Sequence, residues 1–191
     1  MILKYGNVVL RAVEMKDKEM LMEMINDPSI EAMTGGWNHP VSEISQEKWI
    51  LNYMDSQTMM RWIIEGSKNM TAFGMITLSE IEWKDRSAFV HYKINTKETK
   101  REKGDMKNAL YSVLKYAFDE LGLHRIEGSV LSYNTFSRKL IKSMGFINEG
   151  VLRSKVFKNG MWHDQEYYGL LENEFIRFED GYAPWQKSRK S

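Results

Sequence analysis

The feature that most constrains the fold is a long amphipathic segment that begins near residue 105. Its apolar side chains recur at intervals of three and four residues, which places them along one face of an α-helix. These side chains are Met106, Ala109, Leu110, Val113, Leu114, Ala117, Phe118 and Leu121. Gly104 precedes the segment and Gly122 follows it, where a glycine commonly ends a helix. We therefore predict a long helix with one buried face.

Strand-forming segments lie on both sides of this helix. Apolar and β-branched residues cluster at 7–13, 61–65, 71–83, 87–94 and 124–131. Two further strands are predicted around Asn159-Gly160, a dipeptide that is typical of tight hairpins. Helical spacing recurs in residues 14–27, 42–54 and 134–146. This order predicts an α/β (α+β) fold with a central mixed, mostly antiparallel sheet flanked by helices and one parallel crossover.

The chain length of 191 residues suits one domain with a sizeable core. Residues 1–172 contain every predicted element, so we expect them to form a single domain. Residues 173–191 have no clear period and are predicted to be a C-terminal extension. Within the domain, Pro28 is expected to end the first helix, and Asn134 is expected to cap the last one.

Composition narrows the class of function. The net charge is +1, so we expect no overall attraction to nucleic acid or to a membrane surface. There is no cysteine, which excludes disulfides and a thiol nucleophile. The four histidines lack the spacing of a metal motif, so no metal is expected. No signal peptide and no apolar run of about 20 residues is present, so we expect a cytoplasmic protein.

The stretch before the long helix, "KREKGD", concentrates charge around Gly104. Backbone N–H groups at a helix start lack partners within the helix, and the helix dipole favours an anion there. Arg101 and Lys103 add formal positive charge. The stretch is therefore either a solvated surface turn or a phosphate-binding turn.

The order of elements and several motifs resemble the GNAT superfamily of acetyl-CoA-dependent N-acetyltransferases. "REKGDM" is similar to the R/Q-x-x-G-x-G/A signature of that family, with Arg101 and Gly104 at matching positions. The segment from 114 to 153 resembles the branch that includes the ribosomal-protein N-terminal acetyltransferases (Rim type). The matching residues there are Asn134, Ser137, Leu140, Gly145, Phe146, Glu149, Gly150 and Arg153, with Asp164 further on.

The resemblance implies acetyl-CoA as cosubstrate and assigns its binding residues. The pyrophosphate is expected on the backbone amides of the turn and helix start, Arg101, Glu102, Lys103, Gly104, Asp105, Met106 and Lys107. Strand residues Tyr92, Lys93 and Ile94 are expected to hold the pantetheine and to polarise the thioester carbonyl. Asn134 and Ser137 are expected beside the thiol.

Two residues depart from the family pattern. Met106 stands where the family has Gly or Ala, and a bulky side chain there is expected to crowd the phosphates. We therefore expect Met106→Gly to tighten acetyl-CoA binding. Ile141 stands where many members have a tyrosine that acts as general acid. The departures leave an alternative function open, a catalytically idle GNAT-like module that binds a nucleotide, CoA or a partner.

An amine that attacks a thioester must be neutral, so a base is needed directly or through water. The candidates are His91, Glu80 and Glu82, and His91 has the best intrinsic pKa. The sequence does not decide whether His91 or its neighbour Tyr92 faces the cleft. Tyr133 and Ser137 are the candidate acids.

The acceptor is expected to be a primary amine on a small molecule or a peptide. A resemblance of "ITLSEIEWKDRSAFVHYKI" to amino-sugar N-acetyltransferases adds a nucleotide-linked amino sugar to a protein N-terminus and a polyamine as options. Trp37, His39 and Trp162 are candidate substrate-binding residues, because they could stack on a sugar or a base. Direct attack in a ternary complex is expected. Dimers are common in this family, so a homodimer is also an expectation.

Overall fold

The computed structural model of the chain describes residues 2–35, 39–52, 56–97 and 102–178. Within these residues, eight strands form one sheet. They are β1 (Leu3–Tyr5), β2 (Val8–Arg11), β3 (Met60–Gly66), β4 (Ala72–Glu82), β5 (Ser87–Ile94), β6 (Arg125–Leu131), β7 (Ile147–Lys158) and β8 (Met161–Leu171). Their order across the sheet is β1-β2-β3-β4-β5-β6-β8-β7. All neighbours are antiparallel except β5 and β6, which confirms the predicted mixed, mostly antiparallel sheet.

Five helices of the described chain flank this sheet. They are α1 (Lys18–Ile25), α2 (Pro28–Ala32), α3 (Glu43–Leu51), α4 (Asp105–Asp119) and α5 (Thr135–Ser143). The apolar face of α4 is fully buried against the core, as the periodicity predicted. On the opposite sheet face, α1 and α3 bury Leu21 and Ile50 against Ile63 of β3. Around β3 the sheet is thus covered on both faces, whereas β7 at its edge is largely exposed.

The N-terminal elements differ from the prediction in two places. A short strand, β1, precedes the predicted first strand, β2, and pairs with it in a hairpin, where Gly6 turns the chain with φ of +57°. Pro28 does more than end a helix, because it begins α2. The Asp27 side chain caps α2 by accepting the Ser29 N–H at 2.8 Å, and proline at the first helical position needs no N–H partner.

The parallel pair β5 and β6 positions the site. Their pairing covers three residue pairs, which end at Phe89 and Glu127. Beyond this point β5 continues with β4, whereas β6 continues with β8 as far as Leu131. Each strand keeps a partner on its outer side, so the sheet opens between them without leaving either strand unsupported.

The C-terminal half follows the sequence prediction closely. Asn134 caps α5, because its side chain accepts the Ser137 N–H at 3.1 Å. Asn159 and Gly160 have φ of 50° and 77°, the positive values that a two-residue hairpin turn requires. In the described residues no helix combines the length and the apolarity needed to cross a membrane.

The predicted boundary at residue 172 stays a prediction. The chain continues past β8 onto α4, where the ring of Phe175 is buried against Phe118 and Tyr111. Residues 179–191 of the predicted extension lie outside the described residues.

Candidate active site

A cleft of about 660 Å³ occupies the opening between β5 and β6. Its walls come from four elements: the second half of β5, the end of β6, the start of α5, and α2 with the residues that follow it. The lining residues from β5 and β6 are Val90, His91, Tyr92, Lys93, Ile94, Ser129, Val130 and Leu131. Those from the other walls include Ser29, Ile30, Met33, Thr34, Tyr133, Asn134, Ser137 and Ile141.

The cleft passes through the sheet, because residues of both faces of β5 line it. Tyr92 packs against the α4 side of the core. Lys93 pairs across the strands with Met75, which packs against the α1–α3 side, and His91 shares that face. The uncertainty about His91 and Tyr92 is thereby resolved: both line the cleft, from opposite faces of the sheet.

His91 lies on the α1–α3 side of the cleft. Its ring stacks on Phe89, with 4.8 Å between the ring centroids and an angle of 25°. The pKa of His91 is lowered from its ordinary value, chiefly because partial burial in the cleft wall disfavours the charged imidazolium. Glu80 opposes this effect and Lys93 adds to it. The imidazole is therefore neutral at neutral pH and able to accept a proton.

Tyr92 places a shielded hydroxyl group in the cleft wall. Burial disfavours the phenolate and raises the pKa of Tyr92 to about 12. The hydroxyl makes no hydrogen bond within the described residues, although Ser137 is near enough to lower its pKa slightly. Sequence reasoning assigned only backbone contacts to Tyr92 and missed this proton donor. Its position across the cleft from α5 is a property of the fold.

Tyr133 and Asn134 connect α5 to α2. The Tyr133 hydroxyl donates to the carbonyl of Ala32, and the Asn134 side-chain amide donates to the carbonyl of Met33 at 3.0 Å. The Tyr133 ring also meets the His163 ring edge-on, with 4.7 Å between centroids. These contacts hold the end of α2 over the cleft. They also engage the hydroxyl of Tyr133, one of the two predicted acids, with a backbone carbonyl of α2.

A second connection joins α2 to the hairpin of β7 and β8. The Lys158 side chain is 4% exposed, forms an ion pair with the Glu31 carboxylate, and donates to the Glu31 carbonyl at 3.1 Å. Lys93 lies close by in the cleft wall, and its pKa is lowered by burial and then by the charge of Lys158. The sequence did not indicate this cluster, because its three members are far apart along the chain.

The start of α4 has the geometry expected of an anion site. Gly104 has φ of +97° and ψ of −9°, a left-handed conformation that glycine adopts without strain. The first helical bond runs from the Asn108 N–H to the Gly104 carbonyl at 3.0 Å, so earlier amides have no acceptor in the helix. The Asp105 carboxylate accepts the Glu102 N–H at 2.6 Å and thereby braces the turn.

The Met106 side chain does not crowd this turn. It is 6% exposed and belongs to the core beneath α4, so the expectation of a bulky side chain in the path of the phosphates is wrong. The side chain of the second helical residue points inward, whereas its amide stays at the helix end. Lys103 is exposed and Lys107 half-buried, and Arg101 lies outside the described residues.

Four other predicted side chains that the structure describes, those of Glu80, Glu82, His39 and Trp162, do not line the cleft. Glu80 and Glu82 are exposed on an irregular end of β4, where Glu80 has φ of +52°. Trp162 is 63% exposed at the hairpin and packs on Phe157 instead of facing the cleft. His39 is exposed, and Trp37 lies outside the described residues. Glu80 acts on the site only through the pKa of His91.

In the described part of the chain, no three His, Asp or Glu side chains lie close enough together to share a metal ion. The side chains that meet in the cleft are instead those of proton transfer and hydrogen bonding: an imidazole, a phenol, a hydroxyl and an ammonium group.

Sequence comparison places the chain among acetyltransferases. Residues 7–147 match the acetyltransferase (GNAT) domain family. YdaF of Bacillus subtilis, a candidate ribosomal N-acetyltransferase, is 31% identical over 179 residues, which cover 88% of this chain and 93% of YdaF. Spermidine N(1)-acetyltransferase of Vibrio cholerae is 26% identical over 173 residues, which cover 90% of this chain and 96% of that protein.

Structural comparison agrees with this result. The crystal structure of a probable acetyltransferase superposes with a TM-score of 0.77 at 28% identity, covering 92% of this chain and 99% of the other. Spermidine N-acetyltransferase from Vibrio cholerae in complex with CoA and spermine has a TM-score of 0.81 at 24% identity, covering 88% and 97%. The matched domain, the relatives and the fold together show that the chain belongs to the GNAT family of N-acetyltransferases.

Proposed function

We propose that the protein transfers the acetyl group of acetyl-CoA to a primary amine by direct attack in a ternary complex. The observation that carries this proposal is the opening between β5 and β6, which makes a passage through the sheet. One side of the passage belongs to α4 and α5 and the other to α2. Two substrates can thus enter from opposite faces and meet between the strands.

The α4 side suits the cofactor. The amides that begin α4 supply an anion site for the pyrophosphate. The free stretch of β5, Tyr92 to Ile94, offers backbone groups to an extended pantetheine, because β6 has left that edge unpaired. Asn134 and Ser137 stand at the other wall, beside the expected position of the thiol. Support comes from the related spermidine N-acetyltransferase fold, which has been crystallised with CoA.

The side chains of the cleft suit the proton transfers. Acetyl-CoA supplies the thioester whose C–S bond breaks as the new C–N bond forms. His91 takes a proton from the amine, directly or through water, on the α2 side of the cleft. The Tyr92 hydroxyl, protonated at every physiological pH, donates toward the departing thiolate together with Ser137. Tyr92 thereby takes over the task of the tyrosine that Ile141 replaces.

The test is acetyl-CoA-dependent stabilisation together with thiol release on a panel of primary amines. A ligand that binds only the native state raises the melting temperature, so acetyl-CoA at saturation is expected to raise it. Thiol release is expected with at least one amine, and Tyr92→Phe is expected to lower kcat. Acetyl-CoA stabilisation without release on any amine would favour the idle module instead.

A pair of glycine variants tests the cofactor turn. Gly104→Ala and Gly122→Ala each place a side chain at a positive φ, at opposite ends of α4. Both are expected to cost stability, of order 1 kcal/mol. Only Gly104→Ala is expected to raise the Kd for acetyl-CoA, because Gly122 lies far from the turn. Equal affinities in the two variants would place the pyrophosphate elsewhere.

A further inference from the structure

The described residues that line the cleft include a lysine and no carboxylate. We propose that the acceptor amine also carries an anionic group, a carboxylate or a phosphate, and that the Lys93 ammonium binds this group. The inference rests on the proposed function, since it names the class of amine that the same site acetylates. The evidence is the set of charged groups that line the cleft and the ion pairs that these groups and their neighbours form.

Among the described residues that line the cleft, Lys93 carries a formal charge. Among the lining residues of the described chain there is no aspartate and no glutamate, and the other titratable groups are His91 and two tyrosines. An amine substrate without an anion would therefore meet a cationic wall with no carboxylate to attract it. Neutral hydrogen-bonding groups are present, such as Thr34 and the Gln165 amide, which donates to Ser129 at 2.9 Å.

The carboxylate that acts on Lys93 already has a partner. Glu31 on α2 raises the pKa of Lys93, but it forms an ion pair with Lys158, which is almost completely buried. This ion pair is supported by a second bond from Lys158 to the Glu31 carbonyl at 3.1 Å, so Glu31 is fixed in place. The three formal charges of this cluster, on Lys93, Lys158 and Glu31, sum to +1.

Lys93 makes no hydrogen bond or ion pair within the described part of the chain. Its pKa is lowered because burial and the Lys158 charge disfavour the ammonium form, and the Glu31 carboxylate offsets part of this effect. A half-buried cation without a partner is costly, and a ligand anion would remove that cost. A second cation at the same place would increase it.

This charge pattern separates the protein from its polyamine-acetylating relative. Spermidine carries several ammonium groups, and a site for it needs carboxylates that here are either absent from the described lining or neutralised. An amine with a carboxylate or a phosphate satisfies Lys93 while its amino group reaches His91 on the same strand face. Of the acceptors that the sequence suggested, a nucleotide-linked amino sugar belongs to this class.

The experiment compares matched amines by calorimetric titration into the full chain saturated with CoA, alongside thiol release with acetyl-CoA. Glucosamine 6-phosphate against glucosamine tests a phosphate, and 4-aminobutyrate against butylamine tests a carboxylate. Spermidine is the polycationic arm. The member of at least one pair that carries the anionic group is expected to bind about 10-fold or more tightly than the amine that lacks it, as the gain of one charged hydrogen bond would predict.

Variants connect the preference to Lys93. Lys93→Gln is expected to abolish the preference for the anionic member, and Lys93→Arg to retain most of it. Lys84→Gln, in the exposed turn between β4 and β5, is the matched control and is expected to keep the preference. Lys158→Gln unpairs Glu31 and should weaken the anionic ligand while improving spermidine, with melting curves to verify folding.

Equal binding within both pairs, or tighter binding of spermidine, would overturn the inference. So would a preference that survives Lys93→Gln. Because binding is measured without turnover, these outcomes are distinct from a failure of the proposed function, which would appear as no acetyl-CoA stabilisation and no thiol release. The two matched pairs also show whether the phosphate or the carboxylate is the preferred anion.

Discussion

His91 and Tyr92 are neighbours in the chain, yet they meet the cleft from opposite faces of the sheet. In an ordinary strand one of them would be buried beneath a neighbouring element. Here the separation of β5 from β6 lets both line the same space. A single strand therefore presents an imidazole on one side of the cleft and a phenol on the other.

The base assignment predicts a change in the pH profile. His91→Gln is expected to lower kcat/KM by about 100-fold or more, as loss of a general base typically does. In the wild type, activity should fall as the pH drops through the pKa of His91, since the neutral ring is the active form. That pKa lies below the ordinary 6.5. The variant should lack this acidic limb.

Two neighbouring charged residues, Glu80 and Lys93, affect the pKa of His91 and therefore the pH at which the acidic limb occurs. Glu80 raises the pKa of His91, so Glu80→Gln should move the acidic limb to lower pH. Lys93 lowers it, so Lys93→Gln should move the limb to higher pH. An acidic limb that stays in place in both variants, or persists in His91→Gln, would assign it to another group.

For Met106 the structure predicts a loss of stability on substitution by glycine, in place of the tighter acetyl-CoA binding that the sequence suggested. Because the side chain is buried in the core, Met106→Gly should reduce the free energy of unfolding by about 2–5 kcal/mol. Urea denaturation measures this loss. Lys107→Gly, in the same helical turn, is the control that isolates the effect of glycine on the helix. Tighter acetyl-CoA binding by Met106→Gly would restore the original view of the turn.

At the scale of elements, the close approach of α5 to β6 positions Asn134 and Ser137. Gly128 of β6 makes this approach feasible, since a Cβ there would lie 2.7 Å from the Ile141 Cδ1 atom. Ile141 is 2% exposed, so its side chain has little room to move aside. The residue that replaces the family tyrosine is thus a packing residue between helix and strand.

A double-variant cycle tests this packing. Gly128→Ala should destabilise the protein by about 1–3 kcal/mol, the usual cost of overpacking. The added Ile141→Val change removes the methyl group that the new Cβ meets, so the double variant should recover part of the loss. Thermal unfolding of the single and double variants measures the coupling. Strict additivity would mean that α5 is positioned by other contacts.

At the scale of the whole molecule, the region after β8 is part of the packed structure. Phe175 is 5% exposed, with its ring centroid 5.3 Å from that of Tyr111 and 5.2 Å from that of Phe118. The backbone N–H of Phe178 also donates to the Tyr111 hydroxyl at 2.7 Å. None of these residues lines the cleft.

We expect a chain that ends at Glu172 to be less stable than one that ends at Phe178. Loss of a buried phenylalanine typically costs about 3–5 kcal/mol, and chemical denaturation of the two chains measures the difference. Acetyl transfer per folded molecule should be similar in both, because the cleft is elsewhere. Equal stability of the two chains would support the boundary predicted at residue 172.

Several elements could be predicted from the sequence, because the patterns that indicate them lie within a few neighbouring residues. The period of α4, the Asn134 cap and the Asn159-Gly160 turn depend on neighbouring residues, and each appears where it was predicted. The order of these elements, with the motifs around Gly104 and Asn134, was enough to predict the family. The resemblance to that family also named Tyr92, Lys93 and Ser137, and all three line the cleft.

The direction, contacts and exposure of individual side chains became known only from the tertiary structure. The inward direction of Met106, the engagement of Tyr133 with α2, and the exposure of Trp162 depend on how elements pack. The Lys93, Lys158 and Glu31 cluster joins residues that are up to 127 positions apart. Charge and burial are properties of three-dimensional neighbourhoods, so no local pattern could have shown that the cleft favours an anion.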